Sequence, residues 1–171
     1  LYHDAHRVLG HSIREIAPDA GDRALRESRI IRIYDLGFDE EVLFDTDALF
    51  AKLMASDDYQ RSMTTPEFHA LLGRDLAAME DALEVPEPTL LGACWRAGVP
   101  IFVGAPQDGS IFLNAVKLKH DLGDRFQFGI DLIADVHAMA ALQWYQQKKG
   151  PTAVWILGGG VPKNYTLQGE P

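Results

Sequence analysis

The chain has 171 residues, 47% hydrophobic and 24% charged, which suits one domain with a sizeable core. Its net charge of −9 speaks against nonspecific nucleic-acid binding, which needs clustered Lys and Arg, and is compatible with a cationic substrate. No apolar run approaches a membrane span, the opening residues lack a signal-peptide layout, and the one cysteine, Cys94, excludes an intrachain disulfide, so a cytoplasmic setting is expected.

The first segment, "LYHDAHRVLGHSIREIA", carries Leu9, Ile13 and Ile16 at helical spacing and predicts a helix ended by Pro18. His3, His6 and His11 lie on it, but no partner at ligand spacing closes a metal shell, so surface or capping roles are expected and no metal site is. "RIIRIYDLG" (29–37) predicts a strand ended by Gly37. "DTDALFAKLMAS" predicts a helix capped at Asp45 or Thr46. "TTPEFHALLGRDLAAMEDALE" is the clearest helix, with Pro66 at its first position behind a Thr cap. Its Phe68, Leu71, Leu72, Leu76, Met79 and Leu83 follow one buried face, and its acids form the wet side.

Beyond the break at "VPEPT" the pattern alternates. A helix "TLLGACWRAG" leads to a strand "PIFVGA" (100–105), the loop "PQDGS" and a helix "IFLNAVKLKH". A short strand around "FQFGI" precedes the helix "DLIADVHAMAALQWYQQKK", and a strand "AVWIL" (153–157) enters "GGGVPKN". Alternating units of this kind argue for an α/β fold: a Rossmann-like, doubly wound, mainly parallel sheet flanked by helices. Cys94, Trp95, Trp144 and Trp155 are expected to be core residues. The chain starts at Leu1 and stops at "QGEP", and it is expected to be a single domain over 1–171 that is incomplete at both ends.

In such folds ligands bind past the carboxyl ends of the strands, which places "PQDGS" and "GGGVPKN" at the candidate site. The glycines match neither G-x-G-x-x-G nor a Walker loop, because Lys163 follows the last glycine by three residues with Pro162 between. Residues without Cβ let a ligand approach the backbone, and equally serve a tight strand-to-helix turn. Asp108 suits a ribose hydroxyl, or a cap on the helix starting near Ser110. No nucleophile elbow, zinc-protease motif or paired-cysteine cluster occurs.

Taken together, "GVPIFVGAPQDGS", "FGIDLIADVHAMAAL" and "WILGGGVPKNYTLQ", with the upstream "RIYDLGFDEE" and "TTPEFHALLGRDL", resemble the deoxyhypusine synthase family over nearly the whole chain. The resemblance implies a Rossmann-like fold, a homotetramer with active sites between subunits, and NAD-dependent aminobutyl transfer. In that chemistry spermidine is oxidised, an imine forms on an active-site lysine, and the aminobutyl group passes to an amine: a protein lysine, or putrescine in homospermidine-forming relatives. NADH then reduces the new imine. The family's NAD contacts carry over to Asp108, Gly158 and Gly160.

Three positions depart from the pattern. Asn164 stands where the family has a proton-transferring histidine, and an amide is no base near neutral pH. Leu113 replaces the polyamine-binding carboxylate, and Gln168 falls at a polyamine-contacting asparagine. The family's imine-forming lysine lies in a Ser-Trp-Gly-Lys motif expected beyond Pro171, so Lys163 is not that residue. The form "GGGVPKN" resembles the bacterial, deoxyhypusine synthase-like branch. Two functions are therefore open: an aminobutyltransferase, or a noncatalytic relative that keeps the fold and possibly NAD binding.

Overall fold

The computed structural model describes residues 2–168. Leu1 and residues 169–171, on which the expectation of further sequence at both ends rests, lie outside the described residues. The chain mixes helices with short strands. The first segment is not one helix. A 3-10 turn, His3–Leu9, ends where Gly10 takes a φ of 72°, and a two-residue strand follows, β1 (Arg14–Glu15). After α1 (Asp22–Glu27), the stretch expected as one strand folds as a hairpin of β2 (Ile30–Ile33) and β3 (Leu36–Asp39). The turn is made by Tyr34 at a φ of 56° and Asp35. The strands run antiparallel in the order β1-β3-β2. Gly37 does not end the strand but sits inside β3, where a Cβ would come within 2.8 Å of Ile16 Cγ2.

Helix α2 (Glu40–Met54) is capped at Asp39, six residues earlier than the predicted cap at Asp45. Thr46 lies buried inside it, donating its hydroxyl to the Val42 carbonyl at 2.6 Å. Helix α3 (Thr65–Leu83) follows the sequence closely. Thr64 accepts from the Glu67 amide while Glu67 reaches back to the Thr64 amide, a capping box worth about 1 kcal/mol. Phe68, Leu72 and Leu76 are fully buried, each side chain contributing roughly 2–3 kcal/mol by removal from water. Leu83 is exposed at the helix end, against expectation.

Helix α4 (Leu90–Ala97) packs closely along α3. Thr89 caps it by accepting from the Gly92 amide at 3.0 Å. The acids of α3 do not all face water. Glu80 is buried and accepts from the amide and hydroxyl of Thr89 at 2.8 and 2.6 Å, and from Arg96. The core joins the 3-10 turn, α2, α3, α4 and α5 (Ser110–Leu122) around Phe50, Met54, Tyr59, Phe68, Ile111 and Phe126. None of the three tryptophans is a core residue: Trp95, Trp144 and Trp155 are exposed, and Cys94 is half-buried.

One parallel pair is present among the described residues. β4 (Ser62–Met63) pairs with β5 (Gly129–Ile130), and it launches α3 and α6 (Leu132–Gln147) side by side. The fold is thus mixed α/β with a small parallel sheet. The two longer strands expected at 100–105 and 153–157 are not laddered among the described residues. A parallel strand exists only through its neighbour. In 99–105 the backbone groups go to side chains instead: the Val103 amide donates to Thr65 Oγ1 at 3.1 Å, and the Ile101 carbonyl accepts from His69 Nδ1 at 3.1 Å. Residues 153–157 lie exposed before the glycines and α7 (Val161–Leu167).

Candidate functional site

Each loop singled out by the sequence is a distinct piece of backbone. "PQD" forms a 3-10 turn, Pro106–Asp108, and the N-cap of α5 is Gly109 without a side-chain bond. Asp108 therefore does not cap the helix. Its carboxylate is exposed and makes no hydrogen bond or ion pair among the described residues. In the second loop Gly158 and Gly160 adopt φ of 84° and 80°, the left-handed region that favours glycine, and a Cβ at any of the three glycines would meet nothing within 4 Å. The turn is thus open rather than pressed against a neighbour. Pro162 lies in the first turn of α7, as expected. Asn164 is exposed on α7 and Gln168 is its exposed C-cap.

A cavity of about 320 Å³ borders the glycine turn, lined by Trp155, Leu157, Gly159, Pro162, Lys163 and Thr166 among others. Asp108 does not line it. A larger, mostly apolar groove of about 650 Å³ runs past Gln107 along α5, and includes Leu113 and Val116. The two loops instead meet at their roots. A Cβ on Gly104 would fall 3.0 Å from Tyr165 Cβ and 3.2 Å from Val161 Cγ1, so a side chain there would press α7 outward by a few tenths of an ångström. The Phe102 and Tyr165 rings are 6.4 Å apart.

A buried polar joint underlies this junction. Asp135, on the first turn of α6, accepts at Oδ1 from the Thr65 amide at 2.5 Å and the Thr65 hydroxyl at 2.7 Å. Its Oδ2 accepts from the Tyr165 hydroxyl at 2.6 Å. A buried carboxylate is tolerable only with such partners. Burial first, and the bond to Asp135 second, push the Tyr165 phenol well above its ordinary range, so it stays a donor. Gln143 adds a 2.5 Å bond from α6 to the Thr166 carbonyl on α7.

His69 sits behind the joint. Its Nδ1 donates to the Ile101 carbonyl, which leaves Nε2, at 2.8 Å, to accept from the Tyr2 hydroxyl. Burial holds its pKa down at about 4, against smaller opposing effects from its backbone hydrogen bonds and from Asp135. His6 bonds the nearby His3 carbonyl, and His11 pairs with Asp45 on α2. No group of three or more metal-ligating side chains occurs among the described residues, and no helix among them is long and apolar enough to cross a membrane.

Sequence reasoning missed Thr65, His69, Gly104, Asp135 and Tyr165. Asp135 carried a signal, being an acid within the apolar run "DLIADVHAMAAL" one turn after the Asp131 cap. Tyr165 carried none, because only the fold brings it to α6.

The site defines a mixed α/β domain in which an acidic loop and a triple-glycine turn are joined through one buried carboxylate. Comparisons with known proteins identify it further. The family model for deoxyhypusine synthase matches residues 1–170. The chain is 37% identical to the deoxyhypusine synthase-like protein of Cyanothece sp. and 39% identical to that of Nostoc sp. strain PCC 7120, in each case over all of this chain and 44% of the relative. It is 34% identical to the probable deoxyhypusine synthase 2 of Methanosarcina mazei, over 99% of this chain and 46% of that protein. The chain belongs to the deoxyhypusine synthase family. It spans a little under half the length of these relatives.

Proposed function

We propose that the full-length protein transfers the aminobutyl group of spermidine to an amine acceptor with NAD as cofactor, and that putrescine is the acceptor, giving homospermidine. The family match supports the reaction class. The observation that supports the site reading is the close approach of Gly104 to Tyr165 and Val161, which brings the root of the Asp108 loop against the helix that follows the glycine turn. The donor set fits NAD: the exposed Asp108 carboxylate can accept from ribose hydroxyls, and Gly158 and Gly160 leave the backbone open to a dinucleotide. When bound, NAD supplies the hydride acceptor for amine oxidation and returns the hydride at the end.

The residues of this chain bind and orient. The amide of Asn164 can hold an amine or ammonium group by a hydrogen bond but cannot take its proton. Gln168, on the same helix face one turn on, offers a second amide to the polyamine. Leu113 is exposed in the apolar groove and offers no charge to an ammonium group. These two departures weaken the match to a protein-lysine acceptor more than the match to NAD chemistry. The net reaction balances: spermidine and putrescine give homospermidine and 1,3-diaminopropane, with the hydride borrowed and returned. A homotetramer with shared active sites, a doubly wound sheet completed by the rest of the protein and a cytoplasmic setting belong to the same proposal.

The departures at Asn164 and Leu113 also support a second reading, a noncatalytic relative that retains NAD binding. Mass spectrometry of products from full-length protein with NAD, spermidine and putrescine separates the two. Homospermidine is the expected product. NAD binding without any aminobutylated amine would favour the second reading.

A further inference from the structure

We propose that Tyr165 is a positioning residue, whose hydroxyl, held by buried Asp135, sets the place of the glycine turn and the Asn164-bearing helix against the Asp108 loop. The inference rests on reading these loops as the nucleotide site, and it adds the means by which they are held in register.

The two loops belong to different parts of the chain and share no backbone ladder among the described residues. Residues 158–160 make no packing contact that a Cβ would feel, so the turn has no rigid bed of its own. What holds its far side is α7, and α7 is tied inward at adjacent residues: Tyr165 to Asp135, and the Thr166 carbonyl to Gln143. The Asp108 loop is tied to the same point. Thr65 Oγ1 accepts from the Val103 amide while its hydroxyl donates to Asp135, so Asp135 is one bond from α7 and two bonds from the 99–105 segment. Thr65 is placed there by the β4–β5 ladder, which starts α3 and α6 in parallel. A displacement of α7 would therefore move the turn and Asn164 relative to Asp108 while leaving the α3–α4 core untouched.

Tyr165→Phe in the full-length protein is the test, because the ring stays against Phe102 and Gly104 and only the hydroxyl is lost. Hydrogen–deuterium exchange should be faster at amides 158–164 while α3 and α4 stay as in wild type. The Kd for NAD should rise about tenfold, the size of one lost charge-assisted hydrogen bond. Asp135→Asn should keep much of the wild-type affinity, since one amide can face Thr65 with its oxygen and Tyr165 with its NH₂, whereas Asp135→Ala should lose it. Unchanged exchange at 158–164, or an unchanged Kd in Tyr165→Phe beside a wild type that binds NAD, overturns the inference and leaves the function intact. A wild type that binds no NAD overturns the nucleotide reading, and this inference with it.

Discussion

Acidification should destabilise the domain through His69. The ring is buried, donates to the Ile101 carbonyl and accepts from the Tyr2 hydroxyl, an arrangement only the neutral form can make. Its pKa is held at about 4, against about 6.5 for an unfolded histidine. Because the folded value is the lower one, the unfolded chain takes up the proton first. The stabilisation is complete above pH ~6.5 and is lost as the pH falls through the folded pKa of about 4. Linkage gives about 2 kcal/mol lost by pH 5 and about 3 kcal/mol by pH 4. Asp135 is the one charged neighbour that opposes the shift, and burial outweighs it. Urea unfolding at pH 7, 6, 5 and 4, for wild type and His69→Gln, isolates the effect as the difference in slope. A glutamine, uncharged throughout, should flatten the fall by about 2 kcal/mol between pH 7 and 5. Parallel pH profiles for the two proteins would refute the buried neutral histidine.

Two further substitutions probe the scaffold and the site. Gly73→Ala would place a methyl on the Leu91 carbonyl and 2.9 Å from Trp95 Cβ, so α3 and α4 must separate, at a cost of about 2 kcal/mol or more in urea unfolding; a variant as stable as wild type would show that the pair is not so tightly seated. Asp108→Ala removes an exposed carboxylate that caps nothing, so stability should stay within about 0.5 kcal/mol of wild type while NAD binding by calorimetry weakens at least tenfold; unchanged affinity would remove Asp108 from the ribose role.

Local rules made α3 legible. Thr64 and Glu67 fix its start, and Phe68, Leu72 and Leu76 repeat at one face, so propensity, capping and burial agree. Long-range pairing was not legible. Residues 29–37 read as one alternating strand, but the chain reverses at Tyr34, and Gly37 is needed for contact with Ile16 rather than for a stop. The runs 100–105 and 153–157 have strand composition, but a ladder depends on a neighbour that composition does not specify. The two loops of the candidate site were singled out from residue type and from strands that are not laddered among the described residues. Asp135 and Glu80 were not, because an acid on a helix reads as solvated until the fold supplies Thr65 and Tyr165, or Thr89 and Arg96, as partners. The resemblance named the family that the comparisons then established.

The most direct test of aminobutyl transfer is the release of 1,3-diaminopropane from spermidine by the full-length protein, followed with and without NAD. Release should require NAD, rise when putrescine is added and fall in Asp108→Ala. No diaminopropane under any of these conditions, or release indifferent to NAD, would contradict aminobutyl transfer.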